Sequence, residues 1–492
     1  MRIRLIALLA LLVAPASALG ATPPGHAGRW ITDPQGRVLL PHGLNMVNKL
    51  KPYAPASTGF GDDDARFLAR NGLNIVRLGV MYTAVEPQPG RYDDAYLAGI
   101  AKTVATLGRH GIYTLLDFHQ DQYNERFQGE GFPDWSVQDD NLPATPKNGF
   151  PLNYPTMPAL QHAFDHLWAN SPGPGGVGLA DRFASAWQHV AARFNGNADV
   201  IGYDLFNEPW PGTTWAPCAT AAGCPAFDAT LAAFQKRVIA AIRRSDRRHL
   251  VFYEPNVLFN FGNPTHLPDL GDARAGMSFH EYCDASTGRS CPRKVLAGAL
   301  SHVRTTGDAL LLSEWGSVDT KSTLGQLPQV ADAQLVPWIE WAYCGCGDPT
   351  GSIPPSTEAL VLDPARAPSG ANVKSAKLTA LARPHPGAVA GTPLKLSFST
   401  SSRRLSFSWS TSRAAGHGSF AAGSCTSVFL PPTIYPRGYR VSVTGARVAS
   451  KTTAGLLELD SLPGAKRVSL RVTPARGGHT SAPGAASGCS AR

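Results

Sequence analysis

Short unbroken apolar runs alternate along most of the chain with stretches whose apolar residues recur every three or four positions. The runs are RVLLPHGLNMV (37–47), LNIVRLGVMY (73–82), IYTLLDFHQD (112–121), VIGYDLFNEP (200–209), HLVFYEPN (249–256), GMSFHEY (276–282), ALLLSEWG (309–316) and PWIEWAY (337–343). Amphipathic segments intervene, such as DDDARFLARNG (62–72), DAYLAGIAKTVATLGRHG (94–111) and ATLAAFQKRVIAAIRRSD (229–246). A strand apolar on both faces needs cover on both, which helical crossovers over a parallel sheet supply. Eight such units predict closure into a TIM (β/α)8 barrel. No G-x-G-x-x-G follows the first run, which removes the simplest dinucleotide-binding reading. Beyond Pro386 the pattern changes to PLKLSFST, RLSFSWS, TSVFLP, YRVSVTG and RVSLRV, set between turn-rich stretches without helices. That predicts an all-β sandwich. The expected division is a leader at 1–21, a barrel at 22–385 and a smaller sandwich at 386–492.

Polar residues gather where the apolar runs end. Asn45, Arg77, His119, Asp121, Asn207, Glu208, His280, Tyr282 and Glu314 all stand near C-terminal strand ends, whereas the strand starts are apolar. One such residue is ordinarily a strand end meeting solvent. Nine of them describe the rim at which barrel active sites are assembled. Glu208 ends the fourth run and Glu314 the seventh, so the two carboxylates face each other across the mouth. A carboxyl pair of this kind is the equipment for glycoside hydrolysis: one protonates the leaving oxygen, and the other attacks as the anion. Environment separates the roles, because burial raises a carboxyl pKa and cationic or donor neighbours lower it. Arg77 and Tyr282 are available to hold Glu314 ionised, and Asn207 to hold a sugar 2-hydroxyl. The proposed chemistry needs no organic cofactor. No pair of C-x-x-C motifs is present, so no metal site is expected.

The first residues, MRIRLIALLALLVAPASALGA, place Arg2 and Arg4 before an apolar run and small residues, the pattern of a secretory signal cleaved after Ala18 or Ala21. Export fits eight cysteines. Cys218 with Cys224 and Cys283 with Cys291 are close enough to staple single loops. Cys425 and Cys489 are available to each other, and Cys344 and Cys346 either pair or stay reduced. Residues 386–492 hold 13 Lys/Arg against 2 Asp/Glu, a balance of +11 in a chain of +9. Removing the two leader arginines leaves +7, so the mature barrel carries 7 − 11 = −4. Nucleic acid is not an expected partner for an exported chain without an aromatic-basic platform. An anionic lipid surface is, with the sandwich turning the barrel mouth towards it. A monomer is expected.

FNEP (206–209) and SEWG (313–316) resemble the acid/base and nucleophile motifs of glycoside hydrolase family 5, a group of retaining glycosidases on the eight-fold barrel. Arg77, His119, Asn207, Glu208, His280, Tyr282, Glu314 and Trp341 fall on that family's characteristic positions, with Trp338 an alternative to Trp341. Within the family the chain resembles the endoglycoceramidase branch, on GLNMVNK, DFHQDQYNERFQGEGFPDW, GYDLFNEPWPG and LARPHPGAVAGTPL. The resemblance implies cleavage of the β-bond between an oligosaccharide and ceramide. It also implies that Lys49, His119 and Asp121 contact the first sugar. Trp341 offers that sugar an apolar ring, and Trp168 is a further stacking candidate. Phe127, Phe132 and Trp135 either border a lipid groove or anchor their loop. A polysaccharide hydrolase of the same family, of cellulase or mannanase type, is the alternative function. A non-catalytic carbohydrate-binding protein is a third.

Overall fold

The computed structural model describes residues 22–283, 290–350, 355–451 and 455–475. A barrel strand falls on each of the eight apolar runs: β1 (His42–Met46), β2 (Ile75–Met81), β3 (Tyr113–His119), β4 (Val200–Asp204), β5 (Leu250–Tyr253), β6 (Ala275–Glu281), β7 (Ala309–Trp315) and β8 (Trp338–Glu340). They pair in parallel in sequence order, and β8 closes on β1. The crossover from β2 to β3 shows why these sequences fold so. Helix α1 (Asp94–Arg109) begins where the Asp93 carboxylate accepts the Tyr96 backbone N–H at 2.9 Å. Its Leu97, Ile100, Val104 and Leu107 recur at helical spacing and are buried. His110 and Gly111 end it, and Gly111 supplies a φ of 73°.

Period-two alternation sorts the strand side chains. Ile75, Leu115, Leu250, Phe252, Leu311 and Ile339 fill the lower barrel, and Ile31 and Leu39 join the same cluster. Further along the same inward faces come Arg77, Asp117 and Glu254, all buried. The apolar plug below leaves the charged upper layer open only at the mouth.

In one place the strand pattern misleads. The fourth run predicts a strand to Pro209, yet β4 stops at Asp204. Leu205 to Pro209 leave the sheet, and Glu208 takes a left-handed φ of 48°. Such a conformation costs a non-glycine residue about 1–3 kcal/mol and persists only where neighbours dictate it. Here Gln120 Nε2 donates to the carbonyls of Asn207 (2.8 Å) and Glu208 (3.3 Å), and Glu254 Oε2 accepts the Glu208 N–H at 3.0 Å.

The C-terminal part is a sandwich of two four-stranded antiparallel sheets. One contains β9 (Thr392–Ser399), β10 (Arg404–Ser410), β12 (Tyr439–Thr444) and β15 (Arg467–Pro474). The other contains the short strand His385–Pro386 with β11 (Cys425–Phe429), β13 (Ala446–Val448) and β14 (Leu456–Ser461). The outward side of the first sheet presents Lys395, Arg404, Arg440, Arg467 and Arg471 among serines and threonines, with no acidic residue. The sandwich is seated on the barrel through Ala388–Val389 pairing with Val38–Leu39, through Thr433 and Asn71, and through Leu335 in its core. Those barrel residues all precede strands, so the seat is at the end away from the mouth. The basic domain therefore stands at the opposite end of the barrel from the mouth that it is expected to turn towards lipid.

Among the described residues three bridges are formed, Cys218–Cys224, Cys283–Cys291 and the two-residue Cys344–Cys346. Cys425 is also disulfide-bonded, and its expected partner Cys489 lies outside the described residues, as does the leader. No helix among the described residues is long and apolar enough to cross a membrane.

Candidate active site

Arg77 is the hub from which the upper barrel is built. Its side chain is wholly buried. Nε donates to Asp204 (2.8 Å), Nη1 to Glu314 (3.0 Å), and Nη2 to Glu254 (2.9 Å) and Asn207 (3.0 Å). Asp117 lies 2.9 Å from Nη2. Burial alone would lower the guanidinium pKa, but four surrounding carboxylates push it well above its usual value. One cation facing four acids leaves a negative excess. The Asp204 carboxyl is accordingly pushed up to about 7, by burial first and then by Glu254 and Asp117, against the pull of Arg77.

The two carboxyls singled out by sequence meet above this hub. Oxygens of Glu208 and Glu314, with a nitrogen of His280, lie within 4.8 Å of one another. Glu314 is clamped: Arg77 donates to Oε2, and the Tyr282 hydroxyl donates to Oε1 at 2.7 Å. Glu208 Oε1 accepts from Asn260 Nδ2 at 2.6 Å and lies 2.9 Å from His280 Nδ1. Burial, reinforced by the Glu314 and Asp121 charges, pushes the Glu208 carboxyl up to about 7, although His280 pulls the other way. Burial would depress His280, but Glu254 and Glu314 raise it well above its ordinary value. The outcome is one carboxyl that keeps its proton near neutrality beside another fixed by a guanidinium and a phenol.

Lys49, Asp121 and Trp341 form a second group at the same mouth. Lys49 Nζ lies 2.5 Å from Asp121 Oδ2, 2.8 Å from Asp348 Oδ2, and 4.8 Å from the centre of the Trp341 ring. His119 stacks on that indole at 5.2 Å and pairs with Asp117 at 2.8 Å. Glu358 accepts the Trp341 indole N–H at 2.7 Å. Trp338, the alternative, is buried against His42 and Trp315. Asn207 is engaged at both amide atoms, by Arg77 and by the carbonyl of Gln120.

All of these groups border or underlie a cavity of about 620 Å³, one side of which is apolar. That side is made by Leu152, Trp210, Trp215, Leu258 and Phe261, from the long loop after β3 and the segments after β4 and β5. One sequence expectation is thereby corrected, and one open alternative is decided. Trp168 does not line the cavity; its ring packs against Phe164, Phe206, Phe227 and Phe234, and its N–H donates to the Trp210 carbonyl. Phe127 and Phe132 are buried loop anchors, and the Trp135 N–H donates to the Glu86 carbonyl. Among the polar residues that went unpredicted are Asp117, Asp204, Glu254, Asn260, Asp348 and Glu358. For Glu254 a signal exists, since Leu250, Phe252 and Glu254 share one strand face.

Among the described residues two triads have atoms close enough to hold a cation, His119–Asp121–Glu130 and Glu208–His280–Glu314. In each, a protein cation already serves a carboxylate: Lys49 pairs with Asp121 and Glu130 in the first, and Arg77 with Glu314 in the second. The chain also carries one H-x-x-x-H spacing, His162 and His166, and both imidazoles are spent on Asp140.

Comparison with known proteins is consistent across sequence and structure. Residues 52–347 match the model of Cellulase (glycosyl hydrolase family 5), and residues 383–472 match the glycoside hydrolase family 5 C-terminal domain. Endoglycoceramidase I of Rhodococcus hoagii (strain 103S) is 31% identical over 453 residues, 87% of this chain and 84% of that protein. Endo-glycoceramidase II from Rhodococcus sp., solved as its lactosyl-enzyme intermediate, superposes with a TM-score of 0.73 at 27% identity. That match covers 91% of this chain and 100% of the solved one. The same enzyme in its ganglioside GM3 complex also gives 0.73 at 27%, covering 91% and 99%.

Proposed function

The chain belongs to glycoside hydrolase family 5, and from that premise we propose that it is a retaining endoglycoceramidase. It cuts the β-bond between the oligosaccharide and the ceramide of a glycosphingolipid. The observation that carries the reading is the two-sided cavity. Glu208 and Glu314 stand between a polar group, Lys49, Asp121 and Trp341, and an apolar wall, Trp210, Trp215, Leu258 and Phe261. A bond between a sugar and a lipid has this same asymmetry. A polysaccharide cleft would instead continue polar and aromatic on both sides of the cut.

The mechanism follows from the electrostatics. Glu314 attacks the anomeric carbon as the sugar–ceramide C–O bond breaks, and Glu208 passes its proton to the departing oxygen. Once Glu314 is esterified, its negative charge no longer raises Glu208. Glu208 therefore becomes more acidic and serves as the base for the incoming water. Water then releases the sugar with its original anomeric configuration. At least one oxygen of each carboxyl lies within 4.8 Å of the other, a closeness that suits double displacement, in which the second carboxyl attacks the sugar with no water between them.

The proposed division of labour assigns a leader to 1–21, catalysis to 22–385 and support to the sandwich at 386–492. Secretion, and encounter with substrate at a membrane or micelle surface, belong to the same reading. Leu152 and Phe261, 55% and 40% exposed, supply an apolar rim at the mouth.

Mass analysis of digests tests the activity: a ganglioside is expected to give whole oligosaccharide and intact ceramide. Stepwise release of single sugars, or attack on cellulose without attack on glycolipid, would overturn it. A second expectation concerns the apolar wall. Trp215→Ala should raise KM for a micellar glycolipid about tenfold, about 1.4 kcal/mol, and leave an aryl glycoside unaffected. A third concerns pH. The Glu208 carboxyl must be protonated to act as acid, so kcat/KM should fall as pH rises through about 7. In azide-rescued Glu208→Ala this alkaline limb should vanish; its persistence would assign the limb to another group.

A further inference from the structure

The first sheet of the sandwich, in the order β9, β10, β15, β12, sorts its outward residues into rows by cross-strand register. Ser410 stands beside Arg467. Lys395, Ser408, Ser469 and Thr444 form the next row, and Ser397, Ser406, Arg471 and Ser442 the one after. One step further, Arg404 stands beside Ser399 and Arg440 beside Thr473. Successive rows are two residues apart, about 7 Å, and each carries a cation among hydroxyls. The two acids of the domain, Glu458 and Asp460, are both on β14, in the other sheet. No carboxylate of the sandwich therefore shares this face.

Charged residues commonly guard the edges of a sheet against pairing with another chain. Lys395 and Arg440, on the edge strands, fit that role. Arg467 and Arg471 do not, because β15 has a neighbour on either side. Both are exposed and line a groove of about 310 Å³ that includes Lys395, Ser408 and Ser469. Arg467 Nη2 donates to the Ser408 hydroxyl at 3.2 Å, which holds that guanidinium against the sheet. Guanidinium forks among hydroxyl donors match the oxygens of carboxylate or sulfate. A lone anion would engage one row and leave the others, whereas a polymer with recurring charge meets them all. The aromatic rings of this sheet, Phe398, Phe407, Trp409 and Tyr439, all lie in the core. None is left outside to stack on a nucleobase or on the C–H face of a neutral sugar. A bilayer fits no better, since Phe407 and Leu470 beneath the groove are buried and cannot enter it.

We propose that this face binds an acidic polysaccharide, a linear glycan that carries a carboxylate or a sulfate on its repeats. The inference is independent of the glycolipid reading. A polymer held by the sandwich, at the end of the barrel away from the mouth, leaves the catalytic cavity open and keeps the enzyme near whatever surface carries the polymer.

The full-length enzyme is titrated with polygalacturonate, dextran sulfate and neutral dextran. Binding to at least one acidic polymer is expected, with none to neutral dextran, and the two acidic polymers separate carboxylate from sulfate as the recognised group. Arg467→Glu with Arg471→Glu should weaken that binding at least tenfold and leave hydrolysis of an aryl glycoside unchanged. Arg437→Glu with Lys451→Glu makes the same change in net charge at exposed positions outside the strands of this sheet. That pair should alter Kd less than twofold. Arg467→Gln with Arg471→Gln should also lose affinity, which keeps the test decisive if the glutamates disturb the fold. Equal losses from the two charge-reversed pairs would reduce the effect to net charge and overturn the proposal. So would tighter binding to phosphatidylserine vesicles or to single-stranded DNA, or no binding to either acidic polymer.

Discussion

Glu314→Ala is expected to lose about 10⁴–10⁶-fold in kcat, the range in which removal of an enzymic nucleophile falls. It should accumulate no glycosyl-enzyme even with an activated aryl substrate. The fold should survive, because Arg77 keeps Asp117, Asp204 and Glu254 as partners and Tyr282 loses a single acceptor. Glu208→Ala should behave differently. Loss of the acid costs about 10²–10⁴-fold on lipid substrates, far less with a good leaving group, and azide should intercept the intermediate. Denaturation melts and intact-protein mass spectra after reaction with a slow aryl substrate separate the two cases. A covalent adduct on Glu314→Ala would assign the nucleophile elsewhere.

Arg77→Met carries the largest expected effect on stability. Methionine approximates the volume and removes the one charge that serves four buried acids. Breaking a buried ion pair by deleting one partner typically costs about 3–5 kcal/mol. The cost should depend on pH in a definite direction. Asp204 already holds its proton up to about 7 in the folded protein. Without the guanidinium that opposes burial, its pKa rises further above the unfolded value. A group so raised binds more protons folded than unfolded, so stability declines as pH climbs from the ordinary carboxyl range through the folded value. Urea melts at pH 5 and pH 8 should therefore differ more for Arg77→Met than for wild type. Identical losses at the two pH values would place the effect in packing instead.

The eight strands were legible because each is a continuous apolar run, and the two carboxyls proposed as catalytic because they interrupt such runs at their ends. Strand four shows the limit. Its apolar run continues through Leu205 and Phe206, which are buried outside the sheet, so hydropathy alone cannot tell where the ladder stops. Asp117 and Asp204 were passed over because a lone acid inside a strand has no sequence mark until a partner such as Arg77 is placed opposite it. Trp168 misled for the opposite reason. An aromatic on an amphipathic helix reads the same whether it faces a ligand or four phenylalanines. The apolar wall assembles from three segments far apart in sequence, and only closure of the barrel brings them together.

The bridge between Cys344 and Cys346 encloses only one intervening residue. Chain statistics assign so small a ring about 1–2 kcal/mol of restriction on the unfolded chain, against about 3 for a fifteen-residue ring. Its effect is expected instead two residues further on, where Asp348 reaches Lys49. The ring limits the directions in which the chain leaves β8, much as a short collar limits the swing of a lever. An enzyme with this bridge opened would melt close to the intact one and bind its first sugar less well. The difference would lie in the spread of positions available to one carboxylate.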